Sequence, residues 1–395
     1  MALSVYIHIP YCLQRCRYCD FTTFEFNQIM APENYIGLVL KELRLRHQFV
    51  PSKKLRSVYF GGGTPSLISA ELIISLLDEL ANLGFEFLPS CEVTLEINPA
   101  TVDEKKLDLY LGRGINRLSV GAQTFHDHHL RNCGRKHSAE DTRRTLALLR
   151  KHKVNFSFDL LFALPGQSTA ELESDLLEVG RYSPNHLSAY CLTVPEGHPM
   201  SSNRPLEEDQ VEMFRLIECS LKATGLQKYE ISNFAKPGFE SKHNLAYWRD
   251  QSYWGLGLSA HSYFANQGPY GARFWNPKDF QAYAHQVETL ASSLEKTLPG
   301  PQIEHLKAHE ALSDFCHTHL RLRSGLPLEA VQRKFGPLAR SLVEARLHSL
   351  KAKNLVQSSN GSAVLTQEGE VLSNLVFEMV HFSSAEEIAQ PLSLT

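Results

Sequence analysis

The stretch Tyr6-Ile-His-Ile-Pro-Tyr-Cys12-Leu-Gln-Arg-Cys16-Arg-Tyr-Cys19-Asp20-Phe21 sets three cysteines within eight residues, directly after a short β-branched run. Three thiolates on one loop have the donor chemistry of an iron–sulfur cradle. They can hold three corners of a cubane 4Fe–4S cluster and leave the fourth iron to an exogenous ligand. The same residues could form a zinc loop, but structural zinc takes four protein ligands, usually as two CxxC-like pairs. Cys91, Cys133, Cys191, Cys219 and Cys316 stand singly, so the sequence contains no second pair. A three-ligand catalytic zinc more often uses histidines with a carboxylate, or mixed Cys/His sets. The spacing therefore favours the cluster.

Working outward, 395 residues with 43% hydrophobic content suggest one large domain plus a smaller one around a substantial core. With 40 basic against 43 acidic residues, a formal charge of −3 gives no bulk attraction to nucleic acid or anionic lipid. Nucleic acid is not an expected partner. The sequence shows neither an apolar run long enough to span a membrane nor a basic segment followed by an apolar one at the start. Eight irregularly spaced cysteines in such a chain read as reduced thiols, so the expected location is cytoplasmic.

Residues 3–9 read as a buried strand feeding the Cys loop, and an apolar stripe of Tyr35, Leu38, Leu40 and Leu43 predicts a helix over 33–48. The strand 55–60 runs into Gly61-Gly62-Gly63-Thr64-Pro65, where glycines permit close backbone approach to a ligand or simply a tight turn. A helix through Leu72–Leu80 ends near Gly84, and strand 92–98 follows. Capping boxes are expected at Thr101–Glu104, Ser138–Asp141 and Ser168–Glu171, with strands at 117–121, 156–162 and 186–192. Six strands alternating with helices imply a parallel sheet with right-handed crossovers, and ligands collect at the carboxyl ends of such strands. Glu96, Gln123, Arg135 and Asp159 fall near those ends. Singly, each could equally be a cap, a surface ion pair or a satisfied buried polar group.

The CxxxCxxC spacing with Tyr18 before the third cysteine resembles the signature of the radical S-adenosylmethionine superfamily. That resemblance implies an α/β fold, a (βα)6 partial TIM barrel. It also implies a 4Fe–4S cluster on Cys12, Cys16 and Cys19, with S-adenosylmethionine chelated at the open iron and cleaved to methionine and a 5′-deoxyadenosyl radical. Glu96-Ile-Asn-Pro, Gly121-Ala-Gln123-Thr-Phe, Gly134-Arg135-Lys-His and Asp159-Leu160 look like successive family motifs that contact S-adenosylmethionine. Tyr6, Tyr18, Gly63 and Thr64 match the same set. A ligand carrying carboxylate, ammonium, sulfonium and ribose needs partners of both signs, which these residues supply.

Over nearly its whole length the chain resembles the oxygen-independent coproporphyrinogen III oxidases and their relatives, the HemW-type haem chaperones. The oxidases carry a fourth cysteine two positions after the third, where this chain has Phe21, and an N-terminal extension for which Cys12 leaves no room. His243-Asn-Leu-Ala-Tyr247-Trp248 matches the HNxxYW motif of the chaperones. An imidazole is a common haem ligand, and Tyr and Trp offer flat apolar surface to a porphyrin. His261, in a Gly255–Tyr263 run resembling a family glycine motif, is a secondary candidate; Leu258-Ser259 replaces the Pro-Gly of many relatives. The expected function is a haem chaperone that holds cluster and S-adenosylmethionine and delivers haem to apo-haemoproteins, membrane respiratory enzymes among them. The alternative is the oxidase reaction of haem biosynthesis. A homodimer in the cluster-loaded state and peripheral membrane association are compatible with the chaperone reading.

The expected division is a barrel over 1–200, an aromatic and glycine-rich extension covering the barrel mouth over 201–298, and an accessory unit over 299–395 after a Leu298-Pro-Gly-Pro301 linker. In the last, helical patterns precede a hairpin turning at Ser358–Gly361, an order that resembles a winged helix. Its mixed charges do not suit DNA. The last dozen residues read as a frayed tail.

Overall fold

In the computed structural model, which describes residues 2–292 and 303–383, Leu3–Ile9 forms strand β1 with Leu3, Val5, Ile7 and Ile9 fully buried. Ser4, Tyr6 and His8 alternate with them and turn to the other face, as the two-residue period of a strand requires. Five more strands repeat this arrangement: β2 (Lys54–Gly62), β3 (Glu86–Ile97), β4 (Arg117–Gln123), β5 (Phe156–Phe162) and β6 (His186–Cys191). Neighbours pair in parallel in chain order, giving the expected (βα)6 barrel. The crossover helices are α1 (Pro32–Arg46), α2 (Ala70–Asn82), α3 (Glu104–Gly112), α4 (Asp127–Asn132), α5 (Ala139–Lys151) and α6 (Thr169–Tyr182). Apolar strand residues meet apolar helix faces in one core, and the polar strand residues line the inside.

Ser138 with Asp141 and Ser168 with Glu171 form reciprocal capping boxes at the starts of α5 and α6. The box expected at Thr101–Glu104 does not form. Asp103 is the cap and accepts from Lys106 N at 2.8 Å, while the Thr101 hydroxyl donates to the Asn98 carbonyl at 2.6 Å. Burial of Val102 moves the helix start two residues on.

Both edges of the barrel sheet are extended. After α7 (Glu207–Ala223), the hairpin β7 (Gln227–Glu230) and β8 (Asn233–Ala235) adds to β6. The helix α8 (Lys242–Trp248) leads to β9 (Tyr253–Leu256), which pairs in parallel with β1. Antiparallel β10 (His261–Phe264), β11 (Ala272–Trp275) and, beyond α9 (Phe280–Ser292), β12 (Glu304–His305) complete twelve strands.

A second core gathers Leu312, Phe315, Leu320, Val331 and Leu347 from α10 (Ala308–Leu320), α11 (Leu328–Phe335) and α12 (Pro337–Ala352). Three short strands, Leu326–Pro327, Val356–Ser359 and Ser362–Leu365, form the wing-like sheet with its turn where the sequence places it. Ion pairs tie this unit to the barrel extension: Lys228 lies 2.6 Å from Glu370 in a buried pair, and the partly exposed Arg321 lies 3.2 Å from buried Glu230. The Leu298–Pro301 linker and the last dozen residues lie outside the described residues. Among the described residues no helix is long and apolar enough to cross a membrane.

Candidate functional site

The carboxyl ends of β1–β6 bring most of the expected residues together. Cys12, Cys16 and Cys19 are half-buried and free of disulfides. Arg135 Nη1 donates to Cys16 Sγ at 3.4 Å, and its Nη2 donates to Asn98 Oδ1 at 2.8 Å and to the Gly121 carbonyl. Burial, with the other two thiols nearby, pushes the Cys12 thiol up to about 11. Tyr18 packs beneath the loop with Cys133, Leu161 and Leu164. Three thiols on one loop and a guanidinium against one of them fit a three-cysteine cluster with an open iron, while the nearby Cys133 is fully buried with its thiol pushed up by burial.

The glycine loop is shaped by close contacts. A Cβ on Gly63 would stand 2.5 Å from the Tyr11 carbonyl oxygen, and Gly62 at φ +113° lies against the His8 ring. Gly63 N and Thr64 N donate to the Ile9 and Tyr11 carbonyls at 2.8 and 2.7 Å, fastening this loop to the start of the Cys loop. The Thr64 hydroxyl accepts from Asn98 Nδ2 at 2.7 Å. Gln123 closes β4 at φ +71°, a left-handed conformation uncommon for a non-glycine residue and found at functional sites more than elsewhere.

Inside the barrel, Glu96 accepts from the Tyr59 hydroxyl at 2.8 Å and from Gly62 N at 3.1 Å. Burial, offset by those bonds, pushes it up to about 7. Asp159 accepts from Ser119 Oγ at 3.2 Å, and burial raises its pKa too. Tyr6 stacks on Tyr59 with ring centroids 6.2 Å apart. His8 Nε2 donates to the Thr22 carbonyl at 2.8 Å, so Nδ1 accepts from the Tyr6 hydroxyl at 3.0 Å; burial lowers His8 to about 4 and keeps it neutral.

The HNxxYW helix corrects one expectation, because α8 lies across the amino ends of the strands, opposite the Cys loop. Its first two N–H groups, on Lys242 and His243, donate to the Glu92 carboxylate at 3.1 Å each. His243 is 1% exposed. Ser57 donates to Ser4, so His243 Nδ1 donates to Ser57 Oγ at 3.0 Å, and Nε2 accepts from the Tyr247 hydroxyl at 2.8 Å. Burial, with Arg117 nearby, lowers it to about 3. In this conformation both ring nitrogens are engaged and neither faces the mouth. Among the described residues of the extension, it is the later Gly255–Ser259 turn that reaches the Cys loop, where Ser259 Oγ accepts from the Thr22 hydroxyl at 3.1 Å.

Tyr247 and Trp248 instead line a cavity of about 320 Å³ with Tyr253, Tyr263, Arg273 and His317, between the barrel extension and the C-terminal unit. His261 and Tyr263 share one face of β10, and Arg273 and Trp275 the matching face of β11. His261 lies at the surface with its ring stacked on Trp275 at 5.8 Å between centroids, and partial desolvation of the ring, with the positive Lys278 and Arg273, lowers its pKa.

The sequence motif Glu96-Ile-Asn-Pro contains Asn98 but did not reveal that it joins Thr64 to Arg135, and the buried pair Arg117–Glu92 at 3.9 Å was missed. The signal was the polar alternation Glu92, Thr94, Glu96 within an otherwise apolar strand.

Residues 6–179 match the Radical SAM superfamily and residues 306–372 the HemN C-terminal domain. The chain is similar to the heme chaperone HemW of Bacillus subtilis, 32% identical over 382 residues that span 95% of this chain and 98% of the relative. Its similarity to the heme chaperone HemW of Haemophilus influenzae is 33% over 386 residues, 95% and 97% of the two chains. Among solved structures, coproporphyrinogen III oxidase (HemN) from Escherichia coli, described as a radical SAM enzyme, has a TM-score of 0.80 at 20% identity, covering 96% of this chain and 90% of that one. At that identity the likeness shows the fold alone.

Proposed function

Since the chain belongs to the HemW haem-chaperone family of the radical S-adenosylmethionine superfamily, we propose that it binds haem and passes it to apo-haemoproteins. The superfamily implies a 4Fe–4S cluster and S-adenosylmethionine. When bound, that pair supplies one-electron cleavage of a sulfonium. Cys12, Cys16 and Cys19 would hold the cluster, with Tyr18 supporting the loop. The Arg135 guanidinium would stabilise the Cys16 thiolate. Glu96 and Asp159 offer carboxylates to an ammonium and a ribose, Gly63 and Thr64 offer backbone to the ligand, and Tyr6 and Gln123 complete the wall.

For haem, the reading rests on the face shared by β10 and β11. His261 is the proposed axial ligand: its pKa is lowered, which favours the neutral imidazole, Trp275 offers a stacking surface, and Lys278 suits a propionate, while Arg273 is paired with Asp314. Tyr247 and Trp248 form the far wall of the adjoining cavity, and His243 holds Tyr247 in place. In this proposal 1–200 carries the cluster, 201–298 closes the barrel floor and presents haem, and 299–395 backs the haem face. Membrane respiratory enzymes are the proposed acceptors, reached from the cytoplasm by peripheral contact, with a dimer as the cluster-loaded form.

The observation that carries the chaperone reading over the oxidase is similarity to HemW chaperones along 95% of the chain, in agreement with Phe21 in place of a fourth cysteine. The test is anaerobic reconstitution followed by haem titration, alongside an assay with coproporphyrinogen III and reductant. Haem uptake and transfer to an apo-haemoprotein without porphyrinogen decarboxylation is expected. Decarboxylation at a useful rate would overturn the proposal.

A further inference from the structure

The loop leaving β4 runs into His126-Asp127-His128-His129 at the head of α4 and meets the first turn of α6. One donor atom each of His126, His128 and Glu171 lie within 4.8 Å of one another. His128 Nε2 is 3.0 Å from Glu171 Oε1. The Glu171 carboxylate is already oriented, because its Oε2 accepts from Ser168 N at 2.8 Å and from the Ser168 hydroxyl at 2.9 Å in the helix cap. Its other oxygen is left to the histidines. His126 Nε2 donates to the Glu171 carbonyl at 3.0 Å, tying the loop to the helix and leaving the ring's lone pair on Nδ1.

A second feature points into the same place. His129 is 1% exposed, yet neither ring nitrogen makes a hydrogen bond among the described residues. Its Nε2 stops 3.5 Å from Glu171 Oε1, and its ring lies 4.0 Å from that of His128, centroid to centroid. Buried polar groups are nearly always satisfied, and the partner this ring faces is the Glu171 carboxylate, which it meets together with His128.

We propose that His126, His128 and Glu171 bind a divalent cation of the borderline class, represented by Zn2+, with His129 as the buried positioning residue behind Glu171. Two imidazoles with one carboxylate is a donor set of three-ligand zinc sites whose fourth position stays open. Imidazole disfavours Mg2+ and Ca2+, which prefer all-oxygen sets, and the absence of sulfur from these three donors disfavours soft ions. No residue is shared with the Cys loop, so this site goes beyond the proposed function and is independent of it.

The test uses Co2+ titrated into cluster-loaded full-length protein, whose Cys12, Cys16 and Cys19 are already occupied. One equivalent should bind with ligand-field bands and no thiolate charge-transfer band, and Zn2+ should displace it. His128→Ala, at an exposed position, and Glu171→Gln, which can still cap α6, should each weaken Co2+ binding about tenfold or more, a factor typical of losing a metal-supporting contact. Thermal melts of both variants confirm folding. No Co2+ uptake, thiolate charge-transfer bands, or unchanged affinity in folded His128→Ala would overturn the proposal.

Discussion

At the carboxyl ends of the six parallel strands, polar groups face a gap; at the amino ends they face one another. Around the mouth, Arg135, Glu96 and Asp159 bond to neighbouring groups, and three thiols stand free of disulfides beside them. On the floor, Glu92, Arg117, Ser57 and His243 are buried, and Glu92, Ser57 and His243 spend their bonds on each other or on α8. Both ends look alike in sequence, as histidines, serines and charges on strand positions. What separates them is whether the partners are already supplied by the chain.

The largest effect should come from breaking the floor. Glu92→Ala removes the acceptor for two helix N–H groups and the partner of buried Arg117, and should lower unfolding free energy by about 3–5 kcal/mol in denaturant melts. Arg135→Leu at the mouth should cost about 1 kcal/mol in stability while weakening S-adenosylmethionine binding to the cluster-loaded protein about tenfold. Equal stability losses would erase the distinction.

Gly63→Ala should come next. Its Cβ would collide with the Tyr11 carbonyl, so the loop must shift, costing about 1–3 kcal/mol and lowering iron incorporation on reconstitution. The two histidines then sharpen the comparison. His243→Ala should lower stability by about 2 kcal/mol and leave haem affinity within about twofold, because its bonds are internal. His261→Ala should do the reverse, leaving the melt unchanged and weakening haem about tenfold in a Soret titration, equivalent to about 1.4 kcal/mol. If haem affinity follows His243 instead, the floor opens to bind haem and the account of that end is wrong.

The smallest effect is a pH dependence. Glu96 sits at about 7 in the free protein, and a bound ammonium favours its ionised form. S-adenosylmethionine affinity should therefore rise about threefold from pH 6 to pH 8 and flatten above, and Glu96→Gln should remove the slope. A wild-type profile that falls over this range contradicts the role given to Glu96.

Much of the frame was legible because its signals are local. Alternation in Leu3–Ile9, the serine caps at Ser138 and Ser168 and the turn at Ser358–Gly361 each depend on a few neighbouring residues. Thr101 misled because Asp103, two positions on, is an equally good cap and burial of Val102 decides between them. The position of α8 was not legible at all. Which end of a barrel a helix closes depends on contacts across 151 positions, as between His243 and Glu92, and no local pattern encodes them. The three-cysteine loop was readable because its thiols share eight residues. His126, His128 and Glu171 were not, since their proximity arises only when α4 and α6 pack.

The most direct measurement is iron content after anaerobic reconstitution, compared between the wild-type chain and single Cys12→Ala, Cys16→Ala and Cys19→Ala variants of matched stability. About four irons per wild-type chain and only trace iron in each variant are predicted. Four irons retained when these thiols are removed would contradict the assignment of the mouth as the cluster site, and the functional account with it.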